Sequence, residues 1–157
     1  MAIISASFFR DANSVPITTH GLITTKVMTL AGGTANDPGD YDGTGNPATL
    51  FTVTGDVLVR VFAVCSVDLV GSSATIEVGI TDNTAGLIAQ TTAEGIDIGE
   101  IWLDTATATI EALPSEKILY NGTDIIQTVG TANITAGVLT YYCLWVPLNS
   151  TGNIVAA

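Results

Sequence analysis

Short apolar runs, cut by turn residues roughly every ten positions, constrain this chain more than any other feature. The breaks are Gly71-Ser72, Asp82-Asn83, Glu94-Gly95, Asn121-Gly122 and Ala136-Gly137. Between them the runs follow a period of two. In Ala74 to Asp82, Ala74, Ile76, Val78 and Ile80 alternate with Thr75, Glu77, Gly79 and Thr81, the pattern of a half-exposed strand. Two runs are apolar on both faces. In Asp56 to Asp68, Val57, Val59, Val61, Ala63, Cys65 and Val67 share one face, and Leu58, Arg60, Phe62 and Val64 share the other. In Val138 to Leu148, Tyr141, Cys143 and Trp145 oppose Val138, Tyr142, Leu144 and Val146. A strand apolar on both sides is covered on both sides. Further strands are expected at Leu22–Leu30, Gly86–Thr91, Ile96–Asp104, Thr109–Leu113, Lys117–Tyr120 and Ile125–Val129.

No segment sustains an apolar period of 3.6. Abundant threonine, valine and isoleucine pack well on a pleated surface and lose rotamer freedom in a helix. The expected fold is therefore all-β: an antiparallel β-sandwich, jelly-roll-like, with an extended N-terminal arm. Residues 1–48 form the arm and a Gly/Asp-rich loop, residues 49–148 the sandwich domain, and residues 149–157 a small polar C-terminal tail. At 157 residues one domain can bury a core without disulfides.

Charge sharpens this. Only 12% of residues are charged while 47% are hydrophobic, against about a quarter charged in an ordinary soluble domain. Arg10, Lys26, Arg60 and Lys117 are the four permanent cations, and the net charge is −11. Nucleic-acid binding needs clustered Lys and Arg, so no such partner is expected. Adhesion to an anionic membrane is equally disfavoured, and the longest apolar run is too short to cross a bilayer. The N-terminal order is reversed for a secretory signal, with Ile3, Ile4, Phe8 and Phe9 preceding Arg10, so cytoplasmic synthesis is expected. Cys65 and Cys143 then read as reduced core residues, with a disulfide between them left open. The sequons at Asn121, Asn133 and Asn149 read as chance products of a threonine-rich chain.

The search for chemistry turns up little. The single histidine, His20, lies in the arm, so neither a histidine metal cluster nor a nucleophile–histidine pair can be assembled without it. Glu94, Asp97, Glu100 and Asp104 sit among turns and strand ends, where acids are ordinary. No cofactor and no catalytic residue are expected. The loop from Asp37 through Asp40 and Asp42 to Asn46 spaces oxygen donors as calcium loops do. The distal bidentate position, counted from Asp40, is Phe51, and a solvated turn is the simpler reading. If that loop held calcium, Asp37, Asp40 and Asp42 would be its ligands. Trp102, Trp145, Tyr41, Tyr120, Tyr141 and Tyr142 could build a sugar platform, but core or interface packing suits the apolar runs better. Arg60, between Leu58 and Phe62, needs a carboxylate across strands or subunits.

The stretch Ala48-Thr-Leu-Phe-Thr-Val-Thr-Gly-Asp-Val-Leu-Val-Arg-Val-Phe-Ala-Val-Cys65 resembles small virion proteins of tailed bacteriophages. So do Ala74-Thr-Ile-Glu-Val-Gly-Ile80 and Thr140-Tyr-Tyr-Cys-Leu-Trp-Val-Pro-Leu148. Arg10-Asp-Ala-Asn-Ser-Val-Pro16 is similar to a short N-terminal motif of head-associated phage proteins. The resemblance implies a capsid decoration, or cement, protein on the virion exterior that trimerises and binds the major capsid protein through its arm. The arm residues so implicated are Ile3, Ile4, Phe8, Phe9, Arg10, Asp11, Asn13, Val15, Pro16 and Ile17. Arg60, Phe62, Tyr141 and Trp145 are the expected subunit interface. A head- or tail-fibre module binding host glycans and a self-polymerising surface filament are the alternatives. The core is longer and richer in strands than the better-known small decoration fold.

Overall fold

The computed structural model describes residues 21–41 and 46–157. Two antiparallel sheets pack face to face as an all-β sandwich. In chain order the strands are β1 (Leu22–Thr29), β2 (Ala48–Thr54), β3 (Val57–Val70), β4 (Thr75–Ile80), β5 (Asn83–Thr92), β6 (Ile101–Trp102), β7 (Thr107–Ala108), β8 (Lys117–Leu119), β9 (Ile125–Gly130), β10 (Ala136–Pro147) and β11 (Asn153–Ala156). One sheet runs β1-β10-β3-β6-β7, with β8 also on β3, and the other runs β11-β2-β9-β4-β5.

The two doubly apolar runs, β3 and β10, are the longest strands and pair with each other at the centre of the six-stranded sheet. Their inward rows are Val57, Val59, Val61, Ala63 and Cys65 on β3 and Leu139, Tyr141, Cys143 and Trp145 on β10. They meet Ile76 and Val78 of β4, Ile88 of β5, and Ile125 and Val129 of β9 in one core. The alternation of β4 appears as read through Ala74, Ile76 and Val78, which are buried, and ends there, since Gly79 is buried as well and Ile80 is only partly buried. Burying each such side chain contributes about 1.5–3 kcal/mol.

Several expectations give way, each for a local reason. Val67, expected to face inward with Val57, is 48% exposed. The β3–β10 register shifts on both sides of Val138, so the alternation breaks over residues 66–68 and resumes in its original phase at Leu69. The stretch Ile96–Asp104 yields only Ile101–Trp102 as strand, following a 3-10 turn at Ala93–Gly95. Residues 96–100 still track β3, through Leu69 N–H to the Ile96 carbonyl and Cys65 N–H to the Glu100 carbonyl. The Asp68 carboxylate takes the Ile98 N–H in place of a ladder bond. Thr109–Leu113 is not a strand; pairing stops at Ala108, and Pro114 offers no donor to extend it. Strand β2, not singled out by alternation, buries the consecutive Leu50 and Phe51 because its register slips between Thr49 and Phe51.

Both ends of the described chain are sewn into the sandwich. The residues expected as a polar tail include β11, which pairs with β2 and buries Ile154. Strand β1, expected within the arm, pairs along its whole length with β10. The loop after it is bonded to the β9–β10 connection: Gly32 N–H donates to the Ile134 carbonyl and Ile134 N–H to the Gly39 carbonyl. A Cβ on Gly39 would lie 2.2 Å from the Ile134 oxygen, so only glycine permits this approach.

Polar side chains also tie the layers together. The Tyr141 hydroxyl on β10 donates to Gln127 Oε1 on β9 at 2.7 Å, and Gln127 Nε2 donates to the Pro38 carbonyl at 3.0 Å. Trp102 Nε1 on β6 donates to Thr91 Oγ1 on β5 at 2.8 Å, and the Thr91 hydroxyl reaches the Asp104 carbonyl. Trp102 and Tyr141 meet edge to face, with centroids 6.3 Å apart. Two satisfied buried networks therefore set how one sheet sits over the other.

Candidate interaction face

The outward face of the six-stranded sheet holds the feature that the charge shortage pointed to. Register places its residues in rows across the strands. Ile23, Leu144 and Arg60 form one row, and Thr25, Tyr142 and Phe62 the next. Val27, Thr140, Val64 and Ile101 form a third, and Val146, Leu58 and Ile118 a fourth. Among these positions the one charged side chain is Arg60. Its guanidinium pairs with Glu116, just before β8, so the partner that sequence left open lies in the same chain. Both ends of that pair are partly exposed, which limits it to about 1 kcal/mol or less. Beside it Phe62 stacks on Tyr142, with centroids 5.1 Å apart and planes 9° from parallel.

The rim of this face is open: Val27 is 60% exposed and Ile118 68%. The chain enters at its corner. Gly21 precedes β1 with φ +96°, and a Cβ there would lie 2.3 Å from the Trp145 carbonyl oxygen and 2.7 Å from Val146. Residues 1–20 therefore join the molecule at the edge of the apolar face.

The expected interface set divides. Arg60 and Phe62 lie on the outward face. Tyr141 and Trp145 do not: Tyr141 is fully buried between the sheets, and Trp145 is 6% exposed with Nε1 donating to Thr24 Oγ1. Sequence identified the doubly apolar strand but not which of its faces looked inward, and Tyr142, next in the chain, is the tyrosine on the surface. The arm residues Ile3, Ile4, Phe8, Phe9, Arg10, Asp11, Asn13, Val15, Pro16 and Ile17 lie outside the described residues, as do His20 and Asp42. Ile23, Val27 and Ile118 went unnoticed because β1 and β8 look unremarkable alone and join the face only through pairing.

The other candidates fall into structural roles. Asp40 N–H donates to the Asp37 carbonyl in a turn, and the Asp40 side chain is buried. Among the described residues no three His, Cys, Asp or Glu side chains gather as a metal site. Glu100 accepts from the Asp97 N–H and the Thr107 hydroxyl, and Asp104 from the Ala106 N–H. These acids brace turns. Trp102 is in the core with Tyr141 and Trp145, so three of the aromatics offered for a sugar platform are interior. Cys65 and Cys143 are free buried thiols. Burial raises both, Cys143 to about 12. Burial likewise raises the Tyr141 phenol well above its ordinary range.

Comparison with protein families, with curated proteins and with solved structures finds no match.

Proposed function

We propose that this protein is a non-enzymatic virion structural subunit, a decoration or cement protein that binds and stabilises the outer shell of a phage head. The observation that carries the proposal is the outward face of the six-stranded sheet, a broad apolar surface whose single charge is already paired within the chain. A chain of net charge −11 meets its own copies most readily where its acids are few or already paired, and on this face Glu116 is held by Arg60. Copies associate there around Phe62, Tyr142 and Arg60, with a trimer as the expected state, on a jelly-roll-like sandwich. Residues 1–17 then bind the major capsid protein or an adjacent copy, and nucleic acid and membrane take no part. Apolar burial at about 25 cal/mol per Å², repeated over symmetric copies, resists outward pressure on the shell.

Co-sedimentation with empty head shells tests this. Full-length protein should pellet with the shells, and protein lacking residues 1–17 should stay in the supernatant. Equal pelleting of the truncated protein would remove the arm from the mechanism, and failure of both to pellet would remove the decoration role.

A further inference from the structure

A groove runs along the side of the sandwich away from β1. Its origin is a fault in the β4–β5 pairing: Val78 faces Ile88, yet Ile80 faces Asn83, so residues 84–87 leave the ladder. The displaced backbone opens a cavity of about 150 Å³ between Ile80 and Leu87 on one side and Ile118 and Leu119 of β8 on the other. A second cavity, of about 360 Å³, shares Leu87 and Lys117 with the first and continues past Leu103 and Leu113. A third, of about 100 Å³, runs from Leu103 and Leu113 to Phe62. Shared walls join these into one channel, apolar at its two ends and mixed along its middle, where Asp104, Glu111, Ser115 and Lys117 line it; it opens to solvent at Ile118 and Leu113. Strand β5 borders it and, among the described strands, pairs with β4 alone.

We propose that this groove receives residues Ala2–Phe9 of a second copy of the chain, an inference that rests on reading residues 1–17 as a partner-binding arm. Twenty residues precede Gly21, and Ala2–Phe9 is the most apolar part of them, six of its eight residues being Ala, Ile or Phe. In extended form Ala2, Ile4, Ala6 and Phe8 share one side, a continuous apolar edge that suits the leucines and isoleucines of the groove, while Ser5 and Ser7 on the other side suit its polar middle. The next residue, Arg10, then emerges beside Asp104 and Glu111, two acids against the single Lys117 in the wall. Residues 10–20 span at most about 36–40 Å, while β1 and β8 are three strand spacings apart, about 15 Å. Length therefore allows the donor to be either copy. Polarity decides for the neighbour. Within one chain the connection would lie over Ile23, Leu144, Leu58 and Ile118, stripping water from Arg10, Asp11, Asn13 and His20 on an apolar surface. Between copies those residues stay in solvent, free to touch the shell.

The test uses the full-length protein. Trypsin nicks it after Arg10, and native size exclusion then reports whether peptide 1–10 stays with the body. Retention is expected, with an about tenfold loss of retained peptide in Leu113→Asp. Leu113 is 46% exposed, so this change spares the core. Independently, a photoreactive benzophenone in place of Phe8 should cross-link to residues 83–87 or 111–118 of an isotopically labelled neighbour in mixed samples. Loss of the peptide from the nicked wild type, equal retention in Leu113→Asp, or cross-links confined to one chain each overturn the proposal. Shell co-sedimentation of the same samples keeps the two ideas apart. Shell binding with the peptide lost sinks the groove alone, and peptide retention without shell binding sinks the decoration role.

Discussion

The outward faces of the two sheets follow the same alternation and reach opposite surfaces. The five-stranded sheet presents Thr52 and Thr54 on β2, Thr75 and Glu77 on β4, Thr128 on β9 and Thr92 on β5. Glu77 there accepts from Gln90 Nε2 at 3.1 Å. The six-stranded sheet presents the four rows built on Phe62, Tyr142, Ile23, Val27 and Ile118. A polar row is content with water, whereas an apolar row of this extent gains by meeting another surface. The difference teaches that the low charge of this chain is not spread evenly: one face carries threonines and a glutamate, and the other is an open, largely apolar surface.

The most severe way to break the contrast is to charge both faces in turn. Phe62→Asp with Tyr142→Asp should convert the proposed oligomer to monomer in analytical ultracentrifugation, while Thr52→Asp with Thr54→Asp, at exposed positions, leaves its mass unchanged. Equal effects from the two pairs would erase the distinction.

Next in size is a comparison between adjacent tyrosines. Tyr141→Phe leaves Gln127 Oε1 buried without its donor and should cost about 1–3 kcal/mol in chemical denaturation. Tyr142→Phe keeps the stacked ring on Phe62 and should cost less than about 0.5 kcal/mol.

Alkali should act on the inner face alone. Burial lifts the Cys143 thiol from 9.0 to about 12 and raises the Tyr141 phenol, so the folded state holds these protons after the unfolded state has released them. The stability is complete below about pH 9 and is lost as pH climbs toward 12. Cys143→Ala should flatten that decline in denaturation midpoints measured upward from pH 8, although the smaller side chain lowers stability at every pH.

The smallest effect belongs to the polar face. The Thr128 hydroxyl is buried there with no hydrogen-bond partner in the structure, so Thr128→Val should be neutral or stabilising by up to about 1 kcal/mol. A loss of more than that in thermal melts would show the hydroxyl to be bonded in solution.

Much of this was legible in the chain. The turn spacing and period of two led to the β class, and most strands fell close to their expected limits, β4 and β9 among them. Legibility failed where strand identity depends on a partner. Thr109–Leu113 has the composition of a strand and nothing to pair with, while Asn153–Ala156 has the composition of a tail and a free edge of β2 beside it. The candidate face was half legible. Arg60 and Phe62 could be placed because a cation between apolar neighbours is conspicuous, whereas Glu116, Ile23 and Ile118 come from distant segments.

The sequence by itself determined that this chain would be made of strands and that β3 and β10 would be apolar on both sides, because side-chain alternation is a property of the backbone and needs no partner. Tertiary structure alone decided which side of each strand met the core. It placed Tyr141 inside and Tyr142 outside, gave Arg60 its carboxylate, and gathered five strands' apolar residues into one face. Those outcomes depend on register, and register is settled only when whole sheets pack against each other.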